Sequence, residues 1–171
     1  MWTLSNIISF VRILLVFPLG YYIWTDQLIP FIIVCLIGSL SDILDGHLAR
    51  KLNQVTEFGK IIDPLADKIF VGVAAFIMAI LNIIPLWFFI VIITRDVLIL
   101  IGGIYAQRKL KYVLPSNYMG KIAVIILSLT IMGMFSKVSI AYDYGMYISL
   151  LFLIISLIQY FFRMMKELNK A

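Results

Sequence analysis

Apolar residues run through this chain in stretches of about twenty, long enough for a helix to cross the roughly 30 Å hydrocarbon core of a bilayer. The stretches are continuous and lack the period-2 alternation of a lipid-facing strand, which excludes a β-barrel. With 63% hydrophobic and 13% charged residues in 171, six such spans leave room only for short connectors and tails. The expected fold is an all-α integral membrane protein, six transmembrane helices in one bundle forming a single domain over 1–171. The spans are expected at roughly 4–24, 28–47, 61–81, 84–106, 118–136 and 140–162.

Charge placement sets the expected orientation. Arg50, Lys51, Lys60, Arg108, Lys109, Lys111, Arg163, Lys166 and Lys170 all follow even-numbered spans, whereas the opposite connectors hold Asp26, nothing charged, and Lys137 with Asp143. The positive-inside rule therefore puts both termini in the cytoplasm. The net charge of +5 is then an excess facing anionic lipid, and no nucleic-acid partner is expected. The opening residues show no removable targeting peptide. The single cysteine, Cys35, has no partner within the chain for a disulfide.

Ionised side chains at membrane depth cost at least about 2.5 kcal/mol each and call for an explanation. Asp42 and Asp45 are three apart near the end of the second span, so they share a helix face. Asp63 and Asp67, four apart at the start of the third, share another, in a row with Gly59. A short connector makes the two helices antiparallel neighbours, and four carboxylates converge just inside one boundary. Like charges so close in a low-dielectric site would force some to protonate unless cations neutralise them. An all-oxygen ligand set favours two hard divalent ions, Mg²⁺ or Mn²⁺, over zinc. Paired dications suit displacement at phosphorus.

The neighbours fit that chemistry. Gly46, Ala49 and Gly59 are small enough to let a bulky ligand approach, and Arg50 offers a planar fork of donors to phosphate. His47 is read as an interfacial side chain. A proton or cation path through a small transporter is the alternative of a different class, or the acids could be structural partners of Arg12, Lys68 and Arg95. Conduction, however, asks for polar groups spread through the bilayer depth, and these gather at one end.

The run Asp42-Ile-Leu-Asp45-Gly46-His-Leu-Ala49-Arg50, eight residues, Gly59, three residues, Asp63, three residues, Asp67 resembles the signature of the CDP-alcohol phosphotransferase family at every fixed position. The likeness extends to Ser5, Asn6, Ser9 and Arg12 in the first span, to the run from Asp63 to Lys68, and to Gly120 and Lys121 opening the fifth span. It looks like the branch of phosphatidylglycerophosphate synthases and eukaryotic-type cardiolipin synthases.

The resemblance implies attack by an acceptor hydroxyl on the phosphorus that bears the diacylglycerol of CDP-diacylglycerol, with release of CMP. It implies Asp42, Asp45, Asp63 and Asp67 as ligands of two metal ions, and Asp67 also as the base for the acceptor proton. It places Asn6, Ser9, Asp42, Gly46, Ala49, Arg50, Thr56 and Gly59 around CDP-diacylglycerol. Arg95 and Lys121 would line a pocket for a phosphate on the acceptor. On residue chemistry alone, Arg95 with Asp96 could be an internal ion pair and Lys121 an interfacial anchor, while Thr56 could cap a turn.

Glycerol 3-phosphate is the acceptor expected first, with phosphatidylglycerol, yielding cardiolipin, as the alternative. Two features favour the alternative. The branch's phosphatidylglycerophosphate synthases tend to carry Arg-Glu where this chain has Arg95-Asp96, and the residues after Lys121 are apolar where many glycerophosphate users place a lysine and a threonine. The resemblance further implies a homodimer. The expected location is the cell (inner) membrane, with the site facing the cytoplasm.

Overall fold

The computed structural model describes residues 4–51, 59–111 and 118–169; side chains are described for 8–41, 66, 68–111 and 118–169. The described chain is all helix, with α1 Leu4–Leu14, α2 Val16–Trp24, α3 Leu28–Lys51, α4 Gly59–Ile80, α5 Leu86–Leu110, α6 Tyr118–Phe135 and α7 Met146–Leu168, the last preceded by a turn of π-helix at Ala141–Gly145. Three segments, Leu86–Leu110, Tyr118–Phe135 and Ala141–Leu168, are long and apolar enough to cross a membrane. Ile8–Trp24, Leu28–Ser41 and Lys68–Ile80 are shorter apolar helical stretches among the described residues. The chain is a membrane protein.

The helices follow the apolar stretches with two differences. The expected first span is broken at Leu15 into α1 and α2. Pro18 has no N–H to offer the carbonyl of Leu14, so the ladder loses a rung there. Helical bonds persist on either side, from Leu15 N to Val11 O and from Leu19 N to Leu15 O. At the other ends, helix continues past the apolar run, to Lys51 in α3 and Leu168 in α7, and α4 begins at Gly59. Polar residues in these last turns have good helix propensity, which hydropathy alone does not register.

Three connectors are closed by one device. Asp26, Asn82 and Lys137 have positive φ, at 53°, 56° and 59°. The next amide in each case reaches back five residues, Gln27 to Tyr22, Ile83 to Met78 and Val138 to Gly133. This satisfies carbonyls that a helix end leaves open and reverses the chain within a few residues. Lys111 ends α5 in the same left-handed region, at 61°.

The chain forms two compact units, Met1–Ile83 and Ile84–Ala171. In the first, α1 and α2 each pack on both α3 and α4. Glycines allow the closest approaches. A Cβ on Gly38 of α3 would lie 2.9 Å from Cζ of Phe70 on α4, and one on Gly20 of α2 would lie 2.9 Å from Cδ1 of Ile77. Leu19, Ile23, Phe31, Ala75 and Met78 are buried at the centre of this unit.

In the second unit α7 packs on both α5 and α6. Against α6 it is antiparallel: Ala141 meets Gly133, and Thr130 lies beside Gly145. The Gly145 carbonyl accepts from Thr130 Oγ1 at 3.1 Å and from Ser149 Oγ at 2.7 Å, which occupies an acceptor that the π-turn displaces from the regular ladder. Against α5 it is parallel. Arg95 meets Ser156, Gly102 and Gly103 meet Tyr160, and Ala106 packs with Met164, flanked by Leu110 and Leu168. Both helices therefore end on one side of the unit, bringing Arg108 and Lys109 of α5 to the same side as Lys166 of α7.

Candidate active site

The acidic motif lies on helix throughout its described part. Asp42, Asp45, Gly46, Ala49 and Arg50 belong to α3, and Gly59, Asp63 and Asp67 to α4, of which Gly59 is the first residue. Spacings of three and four on continuous helices keep each acidic pair at neighbouring register positions on one face. The side chains of these eight residues, and of Asn6, lie outside those described, and Thr56 lies outside the described residues altogether. Among the residues that are described, no group of three or more His, Cys, Asp and Glu gathers into a metal site.

What surrounds the motif is described. Ser9 and Arg12, three apart on α1, are buried, with Arg12 only 2% exposed. Arg12 Nε donates to Ser41 Oγ at 3.3 Å, and Ser41 Oγ donates to the Gly38 carbonyl at 2.7 Å. α1 is thus tied to α3 at the residue immediately before Asp42. On α4, Ala66 is fully buried between the positions of Asp63 and Asp67. A methyl side chain there draws the α4 backbone close to its neighbours.

The second unit holds the other expected group. Arg95 on α5 is 9% exposed. Its Nη1 donates to Asp96 Oδ1 at 2.7 Å in an ion pair, and its Nη2 donates to Ser156 Oγ on α7 at 2.8 Å. Ser156 Oγ in turn donates to the Leu153 carbonyl at 2.9 Å. Among the described residues Arg95 Nε is buried without a hydrogen-bond partner. Lys121 is exposed in the first turn of α6. The internal ion pair that residue chemistry allowed is therefore present, and it leaves the Nε nitrogen of the guanidinium uncommitted among the described residues.

Ser41 and Ser156 were not singled out by sequence reasoning. A lone serine in an apolar span has no periodicity to mark it. The available signal was indirect: each buried arginine needs an acceptor on a neighbouring helix, and serine is among the few residues that supply one at membrane depth.

All-helical architecture and apolar spans define the class, a helical membrane protein with charged groups buried between its helices. The sequence matches the CDP-alcohol phosphatidyltransferase family model over residues 2–161, and the chain belongs to that family. It is accordingly a transferase, from a family whose members are generally dependent on divalent metal. It is 36% identical over 133 residues to the CDP-diacylglycerol–glycerol-3-phosphate 3-phosphatidyltransferase of Aquifex aeolicus, covering 75% of this chain and 72% of that protein. It is 40% identical over 111 residues to the Bacillus subtilis protein of the same name, covering 56% and 58%. It is also 34% identical over 109 residues to the cardiolipin synthase (CMP-forming) of Rattus norvegicus, covering 63% of this chain but only 36% of that longer protein.

Proposed function

We propose that the chain is a phosphatidylglycerophosphate synthase, transferring the phosphatidyl group of CDP-diacylglycerol to glycerol 3-phosphate with release of CMP. The observation that carries this reading is the placement of the two acidic pairs on α3 and α4, helices that both pack on α1 and α2, together with a buried cation, Arg95, that retains an open donor. Membership of the family supplies the reaction class, and the names of the Aquifex and Bacillus relatives support the acceptor.

The donor set of Asp42, Asp45, Asp63 and Asp67 is all oxygen and contains no thiolate or imidazole, so it fits Mg²⁺ or Mn²⁺. Two such ions, when bound, would supply charge to offset four carboxylates and Lewis acidity toward the diphosphate. The chain's own residues do the rest. Asn6, Ser9, Gly46, Ala49, Arg50, Thr56 and Gly59 receive the cytidine diphosphate portion. Asp67 takes the proton from the acceptor hydroxyl as its oxygen bonds to the phosphorus bearing the diacylglycerol; the bond from that phosphorus to the CMP oxygen breaks, and CMP leaves with the electron pair. Arg95 and Lys121 hold the acceptor's phosphate, as two cations suit a dianion.

In this reading all six apolar stretches span the inner membrane as one bundle, and the site opens toward the cytoplasm. The common side on which α5 and α7 end, rich in lysine and arginine, supports that orientation. The active form is a homodimer.

A second reading, cardiolipin synthase with phosphatidylglycerol as acceptor, is favoured by the Arg95–Asp96 pair and by the name of the rat relative. One experiment separates them. Purified protein is given CDP-diacylglycerol, Mg²⁺ or Mn²⁺ and each alcohol in turn, and CMP and the lipid product are recorded. Glycerol 3-phosphate should yield phosphatidylglycerophosphate; product with phosphatidylglycerol alone would transfer the assignment to cardiolipin synthesis.

A further inference from the structure

The partners of Arg95 differ in what they can fix. Asp96 is its neighbour on α5, and consecutive residues on a helix project about 100° apart, so that ion pair is made within one helix. Ser156 belongs to α7. Among the described residues it is the group that ties the guanidinium to a second helix.

Ser156 is built for that task. It is 1% exposed, and its hydroxyl proton is directed to the Leu153 carbonyl, which turns a lone pair toward Arg95 Nη2. One turn later Tyr160 lies against Gly102 and Gly103, where an added Cβ would stand 3.3 and 3.1 Å from the ring and its hydroxyl. The close approach of α7 to α5 is thus set by glycine, and Ser156 meets Arg95 at a fixed separation. With Nη1 on Asp96 and Nη2 on Ser156, the guanidinium plane is determined, and Nε is left buried without an acceptor among the described residues. A charged buried donor in that state is costly. A phosphate oxygen is the partner its geometry suits.

We propose that Ser156 is a positioning residue for the acceptor: it holds the Arg95 guanidinium so that Nε presents to the phosphate of the acceptor alcohol. This rests on the reading of Arg95 as a ligand of that phosphate. Ser156 does not touch the reacting atoms, so its loss changes recognition of the acceptor and leaves the chemical step nearly intact.

The test uses the full chain in detergent or vesicles, with CMP release followed across concentrations of glycerol 3-phosphate and of CDP-diacylglycerol. Ser156→Ala should raise the acceptor KM about tenfold, as expected for losing a hydrogen bond to a charged group. kcat should stay within about threefold and the donor KM should be unchanged. Ser156→Thr, which keeps the hydroxyl, should bring the acceptor KM back to within about threefold of the parent. If the alanine protein does not accumulate, Ser156→Cys, with a weaker acceptor of similar volume, serves in its place under the same criteria. An unchanged acceptor KM, an equal rise in both KM values with a fall in kcat, or a threonine variant as impaired as alanine overturns the proposal. A wild-type protein that releases no CMP with either glycerol 3-phosphate or phosphatidylglycerol would overturn the acceptor reading and this inference together; an active wild type with an indifferent Ser156→Ala overturns the inference alone.

Discussion

The two units use the same arginine device in different settings. In the first, Arg12 of α1 donates to Ser41 of α3, and Ser41 donates to the carbonyl three residues before it. In the second, Arg95 of α5 donates to Ser156 of α7, which likewise donates to the carbonyl three residues before it. Each arginine crosses between helices, and each serine has its hydroxyl oriented by its own helix. The surroundings diverge. Ser41 immediately precedes Asp42, so the first bridge braces α1 against the acidic stretch of α3. In the second bridge Arg95 also pairs with Asp96, and its Nε has no hydrogen-bond partner among the described residues. The first bridge is suited to scaffolding a site that demands cations, and the second to presenting a cation to an anion.

If that division holds, substitutions in the two units should fail in different kinetic terms. The largest effect is expected at Asp67, the proposed base. Asp67→Asn should lower CMP release by about a thousandfold at every acceptor concentration, with helix content by circular dichroism unchanged; retained turnover would remove Asp67 from that role. Next comes Arg95→Ala, for which the acceptor KM should rise by roughly a hundredfold, as for the loss of a buried charged contact to phosphate, with the donor KM nearly constant. Equal effects on both substrates would dissolve the contrast between the units.

Arg12→Met should act on stability instead. Removing the buried guanidinium leaves Ser41 without its donor, at a cost of about 2 kcal/mol, read as a lower unfolding midpoint in detergent, with no selective rise in the acceptor KM. The smallest effect is expected at Gly38→Ala, where the new methyl meets the Phe70 ring at 2.9 Å. Overpacking of that kind costs about 1 kcal/mol, and Phe70→Leu in the same chain should recover most of it. A Gly38→Ala protein as stable as its parent would mean that α3 and α4 do not meet there.

Much of this architecture is legible in the sequence because the bilayer permits so little else. Apolar stretches of span length must be helices, and the boundaries anticipated at 4, 24, 28 and 118 coincide with observed helix ends. The break at Leu15 was also written in the sequence, in Pro18, but hydropathy averaging passes over a single missing N–H. The left-handed cap at Lys137 was not legible, since lysine carries no preference for that conformation and the cap is fixed by the bonds around it. Of the site, Asp42, Asp45, Asp63 and Asp67 announce themselves by charge and spacing. Ser41 and Ser156 do not, because their importance exists only through Arg12 and Arg95 on other helices.

In the proposed reaction the acidic residues of α3 and α4 hold divalent cations at which phosphatidyl transfer occurs. The direct measurement is Mn²⁺ binding to the purified chain, counted by the loss of the free-ion paramagnetic resonance signal. About two ions should bind per chain, and replacing Asp42 and Asp67 together by asparagine should abolish binding of at least one. Mn²⁺ binding that is absent from the parent protein, or undiminished in the double variant, would remove these aspartates as the metal site.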